Sequence, residues 1–287
     1  MPLVTIFGGT GYLGQALVRA FLAGGWKVRI AARREPARNG GGDGLSFVAA
    51  DLRDDDDVTR AVAGANCAVN AVSAYTERDG ISYEGIHVDG AGRLAQACLE
   101  SGVDSLVQIS GIGADPASRS RYIAARGRGE ARVQAAFPAA KILRPSVLFG
   151  AGGGLDAALA GILRRTPVIP LIGGGRTRLQ PVHVDDVAAA ALRVVERRVV
   201  SGEIYELGGP QTLSLKQCFE AVAASLDKNR HYFTLPFPLA RAAALLLERL
   251  PGAPLTLAQV ELLMKDNFAD PSLPGLKDLG IAPKALT

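Results

Sequence analysis

The chain has 287 residues, of which 48% are hydrophobic and 21% are charged, and its net charge is +4. This length and hydrophobic content are typical of one large α/β domain or of a domain with a smaller lobe, and they exclude an intrinsically disordered chain. No basic cluster alternates with aromatic residues, so nucleic-acid binding is not expected. Since no signal peptide is visible and no apolar run reaches the ~20 residues of a membrane span, we expect a cytoplasmic protein without a transmembrane segment.

The first elements form a βαβ unit around a glycine-rich turn. A strand is predicted over Leu3–Phe7, a helix over Leu13–Ala23 and a second strand over Lys27–Ala32. Glycines in such a turn let the backbone approach a pyrophosphate, and the helix N–H groups and dipole then face the phosphates. The predicted contacts to a dinucleotide are Gly8, Thr10, Gly11, Tyr12, Leu13 and Gly14.

The alternation of strands and helices continues through the first half of the chain. Further strands are expected at Leu45–Ala50, Ala68–Val72, Ser105–Ser110 and Lys141–Leu148, with helices near Asp55–Ala63, Tyr83–Ser101 and Tyr122–Ala136. This pattern predicts a doubly wound parallel sheet with helices on both faces, which is a Rossmann fold.

After Gly150 the pattern changes to glycine-rich loops and shorter elements. We expect a core strand over Leu179–Asp185, an Ala-rich helix to Arg197, a strand over Glu203–Leu207, and helices over Ser214–Leu226 and Pro238–Leu250. The predicted domains are a dinucleotide-binding domain over 1–150, to which about 179–198 return, and a smaller C-terminal lobe over 151–287.

Several side chains of the second half have a structural interpretation and a sharper alternative. On Pro238–Leu250, a face that includes Leu239 and Leu246 favours core packing, with a partner or membrane surface as the alternative. We expect His183 to be a structural histidine rather than a catalyst, and Asp185 to cap the following helix. The three cysteines and three histidines show no ligand spacing, so no metal site is predicted.

The end of the second predicted strand bears on the choice of cofactor. NAD-binding proteins usually place a carboxylate there for the ribose 2′-hydroxyl, but this chain has Arg33 and Arg34 and no acid before Glu35. Guanidinium groups match a 2′-phosphate, which favours NADP(H) over NAD(H), and the alternative is that both arginines are solvated loop charges.

Other predicted cofactor contacts follow the third and fourth strands. Asp51 and Leu52 are expected near the adenine. Asn70, Ala71 and Val72 are expected on the ribose side.

Together these segments resemble the extended short-chain dehydrogenase/reductase superfamily. The resemblance also uses Ser110, Tyr122 and the segment 144–147, and it implies that Pro145 and Val147 border the cofactor. Its members use a Tyr-x-x-x-Lys pair, in which the tyrosine moves a proton while the lysine holds the ribose and lowers the tyrosine pKa.

This chain departs from that pattern at two of the three catalytic groups. Tyr122 is kept, but Arg126 stands in place of the lysine. The family's serine or threonine tends to fall one or two positions after Ser110, where this chain has Gly111 and Ile112. We therefore expect Ser110 to touch the nicotinamide ribose, and the resemblance implies nucleotide binding while turnover stays open.

A narrower resemblance covers nearly the whole chain, through the segments 110–115, 122–130, 142–146, 181–187 and 257–267. These are similar to an atypical branch that contains the nucleotide-binding accessory subunit of respiratory complex I and its bacterial relatives. The resemblance implies a protein that holds NADPH and supports assembly or stability of a membrane-associated respiratory complex, peripheral on the inner face of the inner membrane. The alternative is an active NADP-dependent oxidoreductase or epimerase-like enzyme on a small carbonyl or quinone, with Tyr122 as acid/base, Arg126 as its electrostatic aid and Ser110 as a polar helper.

Overall fold

A computed structural model describes residues 1–35, 42–78, 80–196, 203–248 and 255–286. By its internal contacts the chain forms two compact units. Unit 1 comprises Met1–Pro145, Val184–Leu207 and Pro271–Ala282, and unit 2 comprises Ser146–His183, Gly208–Asp270 and Pro283–Thr287. The domain boundaries proposed from the sequence stay a prediction.

The strands and helices are as follows. The strands are β1 (Leu3–Phe7), β2 (Lys27–Ala32), β3 (Leu45–Ala49), β4 (Cys67–Asn70), β5 (Ser105–Ile109), β6 (Lys141–Pro145), β7 (Leu148–Phe149), β8 (Val168–Ile172), β9 (Arg178–Leu179), β10 (Val182–His183), β11 (Ile204–Leu207), β12 (Leu213–Ser214) and β13 (His231–Leu235). The α-helices are α1 (Tyr12–Ala23), α2 (Asp55–Val62), α3 (Ala91–Glu100), α4 (Arg121–Ala136), α5 (Gly154–Arg165), α6 (Val184–Glu196), α7 (Leu215–Ser225), α8 (Phe237–Leu247) and α9 (Leu257–Leu262). A π-helix over Glu84–Gly90 leads into α3, and Gly173–Gly175 form a tight turn in which each glycine has a positive φ.

Unit 1 is built on a seven-stranded sheet in the order β11-β6-β5-β4-β1-β2-β3. Each neighbouring pair in it is parallel, so the predicted doubly wound parallel sheet is confirmed. The strand order reverses between β1 and β4, and in open α/β sheets ligands bind outside the carboxyl ends of the strands at such a point. The candidate site is therefore expected where Phe7 and Asn70, paired across β1 and β4, lead into their loops.

The core of unit 1 lies between this sheet and the helices that cover it. The strands supply near-continuous apolar runs, as expected for strands covered on both faces. Phe7, Leu94, Leu106 and Ile142 are among the fully buried side chains of this cluster. The buried Cys67 and Cys98 also lie in unit 1, and burial raises the pKa of the Cys98 thiol to about 12, so these cysteines are inert core residues.

Unit 2 has short two-stranded pairings and its own core. β8 pairs in parallel with β13, and α5 and α7 cover a cluster that includes Leu163, Ile169 and Phe219. The elements α5, α9, β8 and β13 were not predicted from the sequence. For β8 the reason is Pro170, because a proline within an apolar run weakens a strand prediction.

One predicted strand is wrong. The stretch Leu179–Asp185 is not a single core strand but two bridges, β9 and β10, followed by α6 from Val184. Pro181 lies between the bridges and has no N–H to donate to a ladder, while Asp185 and Asp186 suit the first turn of a helix. The predicted end of that helix at Arg197 lies outside the described residues.

The expectation that α8 packs its leucines in the core is also wrong. Leu239 and Leu246 are 60% and 70% exposed, and the residues that α8 buries are Ala240 and Ala244. Small residues allow the helix to approach its unit closely while the larger side chains stay outside. Leu250 of the predicted helix lies outside the described residues. Within the described ranges, none of the helices combines the length and the hydropathy of a membrane span.

Candidate nucleotide site

The glycine-rich turn between β1 and α1 is held in shape by its own backbone hydrogen bonds. Gly8 has φ +77° and donates its N–H to the Ala31 carbonyl at 3.1 Å, and Gly11 donates to the Gly8 carbonyl at 2.9 Å. Gly11 is also the N-cap of α1, where no side chain caps the helix and the first turn holds no acidic residue. The N-terminus of α1 therefore keeps the amide groups and dipole that favour an anion.

Gly11 and Gly14 have different roles in this turn. A Cβ on Gly14 would lie 2.0 Å from the Gly8 carbonyl oxygen and 2.7 Å from the Gly9 Cα. Within the described residues, and apart from its chain neighbours, a Cβ on Gly11 would meet only the Gly8 oxygen, at 3.3 Å. Gly14 is thus required for contact between helix and turn, whereas the open side of Gly11 fits a phosphate oxygen.

The other predicted residues of the turn contribute backbone rather than side chain. Thr10 is exposed and its carbonyl accepts from Gln15 Nε2 at 3.1 Å. Leu13 is buried in the core, and Tyr12 is half-buried. Any contact of Leu13 with a phosphate would therefore come from its N–H.

The loop after β4 lies against the same turn. A Cβ on Gly8 would be 3.0 Å from the backbone of Ala71 and 3.1 Å from the Val72 nitrogen. The Asn70 amide is committed within the protein, because it donates to Gln108 Oε1 at 2.9 Å and accepts from the Val72 N–H at 3.2 Å. Asn70 thus fixes the loop that brings Ala71 and Val72 to the glycine turn.

The residues predicted for the adenosine end lie after β2 and β3. Arg33 and Arg34 are exposed. The Asp51 carboxylate accepts from Arg53 Nε at 3.0 Å and from Arg53 Nη2 at 2.7 Å. These hydrogen bonds, with a smaller effect of the Arg33 charge, hold the pKa of Asp51 below its usual range. Asp51 is therefore an ionised partner of arginine, and Arg53 is a residue of this edge that the sequence interpretation missed.

Leu52 lies in the core beside that edge. It is 4% exposed, and its Cγ lies 2.9 Å from the position that a Cβ on Gly90 of the π-helix would occupy. Its side chain thus contributes to packing under the π-helix.

Tyr122, in the first turn of α4, is enclosed by aromatic rings and a cation. The ring centroids of Tyr75, Tyr83 and His87 lie 5.7, 5.4 and 5.6 Å from its own. The Arg126 guanidinium carbon lies 5.0 Å from the ring centroid, within the range of a cation–π contact. Only 3% of Tyr122 is exposed.

This enclosure determines the protonation of the cluster. Burial raises the pKa of the Tyr122 phenol well above its usual range, and the opposing charge of Arg126 is the smaller effect. The charge of Arg126 thus lowers the Tyr122 pKa, as expected, but it does not outweigh burial and no tyrosinate forms. Burial, and then Arg126, lowers the pKa of His87 to about 4, and His87 Nε2 lies 3.1 Å from the Ala74 carbonyl oxygen. Both rings are therefore neutral near pH 7.

Three buried side-chain polar atoms lack a hydrogen-bond partner in the described part of the chain. They are Ser110 Oγ, Ser120 Oγ and Arg126 Nε. Ser110 donates its N–H to the Leu143 carbonyl at 2.7 Å, and Arg126 Nη2 donates to Ser73 Oγ at 3.3 Å. Buried polar groups are rarely left unpaired, so Ser110 Oγ and Arg126 Nε, the two of these on residues predicted to contact the cofactor, fit a polar ligand such as a ribose.

The last predicted contacts fall in different units. The Pro145 carbonyl, at the end of β6, accepts from the Ile112 N–H at 3.2 Å in unit 1. Val147 belongs to unit 2, where its carbonyl accepts from the Val182 N–H at 3.0 Å. Also in unit 2, His183 packs edge-to-face on Phe149 at 5.1 Å.

A buried ionic network fixes α4 to the sheet. Arg144 on β6 donates to both carboxylate oxygens of Glu130 on α4, at 3.0 and 2.6 Å, and to Glu206 on β11 at 3.3 Å. The exposed fractions of the three side chains are only 17, 6 and 7%. The network therefore positions the helix that carries Tyr122 and Arg126.

Comparison with known proteins gives a consistent result. The profile of the NAD dependent epimerase/dehydratase family matches residues 4–208. The chain is 30% identical over 302 residues to an Arabidopsis thaliana protein, NADH dehydrogenase [ubiquinone] 1 alpha subcomplex subunit 9, mitochondrial, and the match covers 99% of this chain and 75% of that one. It is 32% identical over 188 residues to the ceramide reductase of Caulobacter vibrioides, covering 65% and 59% of the two chains. In fold it is similar to a nucleoside-diphosphate-sugar epimerase from Staphylococcus aureus, with TM-score 0.77, 15% identity and coverage of 100% and 98%.

Proposed function

The chain belongs to the NAD-dependent epimerase/dehydratase family, and we propose that it holds NADP(H) and serves as an accessory subunit of a membrane-associated, quinone-reducing respiratory complex. The observation that carries the binding is the uncapped N-terminus of α1 beside the open side of Gly11. The assembly role is supported by the likeness to a complex I subunit over 99% of this chain.

The preference for NADP(H) over NAD(H) is supported by the charges at the adenosine end. Arg33 and Arg34 are exposed after β2, and Arg53 already neutralises the nearby Asp51. A 2′-phosphate there gains charge-assisted hydrogen bonds, each worth about 1.5–3 kcal/mol. One such bond, at about 2 kcal/mol, corresponds to a preference of roughly 30-fold.

Calorimetry with NADPH and NADH tests this preference. The double variant Arg33→Ser and Arg34→Ser should weaken NADPH binding by about 30-fold and leave NADH binding unchanged. The matched control is Arg193→Ser, an exposed arginine on α6. Equal affinity of the wild-type chain for both nucleotides would reject NADP(H) specificity, and no affinity for either would reject the binding function.

The neutral state of Tyr122 supports a binding role over turnover by the usual mechanism. A phenol whose pKa is raised by burial is a weaker proton donor to a carbonyl that is being reduced, and the family's lysine is absent. The alternative, an active NADP-dependent oxidoreductase, rests on the retained tyrosine and on the likeness to a ceramide reductase. NADPH oxidation with a panel of quinones and small carbonyls separates the two, because turnover that is lost in Tyr122→Phe would establish the enzyme.

The exposed face of α8 supports peripheral association. Leu239, Leu245 and Leu246 are 60, 55 and 70% exposed. Unit 2 also carries 11 Lys and Arg against 7 Asp and Glu, so the net charge of +4 lies in this unit. An apolar helix face within a positively charged unit is suited to the surface of an anionic membrane.

Co-purification from membranes tests this association. Core subunits of the respiratory complex are quantified by mass spectrometry after capture of the tagged chain. The variant with Leu239→Glu and Leu246→Glu should lose them, whereas Leu99→Glu, a leucine on α3 that is 54% exposed, should keep them. Retention by all variants would reject the α8 face, and absence of the complex from the wild-type sample would reject the assembly role.

A further inference from the structure

The two departures from the family's catalytic pattern meet at one point in space. Gly111 and Ile112 stand at the two positions where the family's serine or threonine tends to fall, and Arg126 stands where its lysine is expected. A Cβ on Gly111 would lie 2.1 Å from Arg126 Nη1 and 3.4 Å from its Cζ. The guanidinium therefore fills the space that a side chain at position 111 would need.

Among the described residues, only Arg126 lies close enough to Gly111 to exclude a side chain there. After the two Arg126 atoms, the nearest atom to that Cβ is the Pro145 carbonyl oxygen at 3.8 Å, an ordinary contact. Gly111 is also not among the glycines with positive φ, so its backbone suits any residue. The glycine is thus required by Arg126 and not by the loop.

From this position Arg126 makes contacts that a lysine could not make together. Its planar group lies over the Tyr122 ring and its Nη2 donates to Ser73, while its buried Nε finds no partner among the residues that the structure describes. An ammonium group is a single compact charge without this fork of donors.

We propose that Gly111 and Arg126 are one paired change, in which the guanidinium occupies the place of the missing side chain at 111, packs over the Tyr122 ring to hold it in position, and directs Nε–H toward the nicotinamide ribose. The last part rests on the proposed NADP(H) function, whereas the pairing itself does not. Arg126 is in this sense a positioning residue for Tyr122 and a binding residue for the ribose.

A double-mutant cycle tests the pairing. Because Nη1 is the end of a flexible side chain, Gly111→Ser should fold but displace the guanidinium, and NADPH affinity should fall about 10-fold. In the Arg126→Lys background the same serine has room, so it should change affinity less than 3-fold. The coupling free energy for a 10-fold effect is about 1.4 kcal/mol. Gly161→Ser, at a helical glycine with no atom within 4 Å of its Cβ, and Arg128→Lys, an exposed arginine also on α4, are the controls.

The same cycle is measured by urea denaturation without nucleotide. Non-additivity there supports the pairing even if the chain binds no NADPH, so failure of the proposed function and failure of the pairing are distinguishable. Additive effects on both stability and affinity would overturn the pairing. Coupling in stability, with NADPH binding to the wild type that Arg126→Lys leaves unchanged, would overturn the ribose contact alone.

Discussion

Gly14→Ala tests whether the contact between α1 and the glycine turn controls nucleotide binding. The added Cβ would stand 2.0 Å from the Gly8 carbonyl oxygen, where ordinary contact begins near 3.4 Å, so helix and turn must separate by about 1.4 Å. The two nearest atoms are backbone atoms of Gly8 and Gly9, so rotation of a side chain cannot relieve the overlap. Overpacking of this kind costs about 1–3 kcal/mol of stability.

The effect on binding should be larger than the effect on folding. A shift of this size moves the N–H groups of the turn out of hydrogen-bond range of a phosphate. Loss of one or two charge-assisted bonds, about 2–4 kcal/mol in all, corresponds to a decrease in NADPH affinity of roughly 30- to 1000-fold.

Isothermal titration calorimetry with NADPH and urea denaturation without it measure the two effects separately. Gly161→Ala on α5 is the control, since nothing lies within 4 Å of its Cβ and the exchange should stabilise the helix by up to ~1 kcal/mol. Gly11→Ala should weaken binding with little loss of stability, because its Cβ meets only one atom at 3.3 Å. If Gly14→Ala binds NADPH within threefold of the wild type, the proposed role of this turn is refuted.

Three further predictions concern stability, each measured by chemical denaturation. Arg144→Met should lower the free energy of unfolding by about 3–5 kcal/mol, because it leaves the buried Glu130 carboxylate without its partner. Arg19→Met, at an exposed ion pair, should lower it by less than ~1 kcal/mol. Equal losses would show that burial does not determine what these pairs contribute. The pKa of His87 falls from 6.5 to about 4 on folding, so protonation favours the unfolded chain and the free energy of unfolding should decrease between pH 6.5 and 4, by up to about 3 kcal/mol. His87→Phe should flatten that part of the pH profile, and an unchanged slope would assign it to other groups. Asp54→Ala should lower the free energy of unfolding by about 1 kcal/mol, since it removes the side chain that caps α2; no loss would mean that the cap contributes nothing.

The fold of unit 1 was readable from the sequence because its determinants are local. The bounds of β1 and β2 are those predicted, since β1 is a short apolar run that ends at the glycine turn and β2 begins after the turn that ends α1. The seven-stranded order follows from repeated βαβ connections, which permit few alternatives. In unit 2 the strands have two to five residues and pair across long separations, and Pro181 divides what reads as one apolar run. Such pairings depend on tertiary packing, which a hydropathy pattern does not encode.

The residues of the candidate site also differ in how far the sequence predicts them. Residues that act through backbone geometry, such as Gly8 and Gly11, were predicted from spacing alone. The enclosure of Tyr122 was not predicted, because Tyr75 and Tyr83 come from the loop after β4 and from the start of the next helix, roughly 40 to 50 residues away in sequence. A sequence signal for Arg53 existed, since it follows Asp51 by two residues, but only the structure shows the bidentate pair.

The proposed nucleotide contacts and the altered catalytic groups lie on different elements, so a fold of this family can keep binding a nucleotide while its catalytic groups change. The proposed phosphate and adenosine contacts lie on β1–α1, β2 and β3, whereas the altered groups lie on the loop after β5 and on α4, which Arg144 fixes separately to the sheet. Changes at Gly111 and Arg126 therefore leave the phosphate contacts intact. A nucleotide held by all these segments stabilises the folded chain by mass action, about 4 kcal/mol when its concentration is a thousand times Kd. That stabilisation requires no hydride transfer, and for this reason a tightly bound NADP(H) is sufficient for the structural role proposed for this chain.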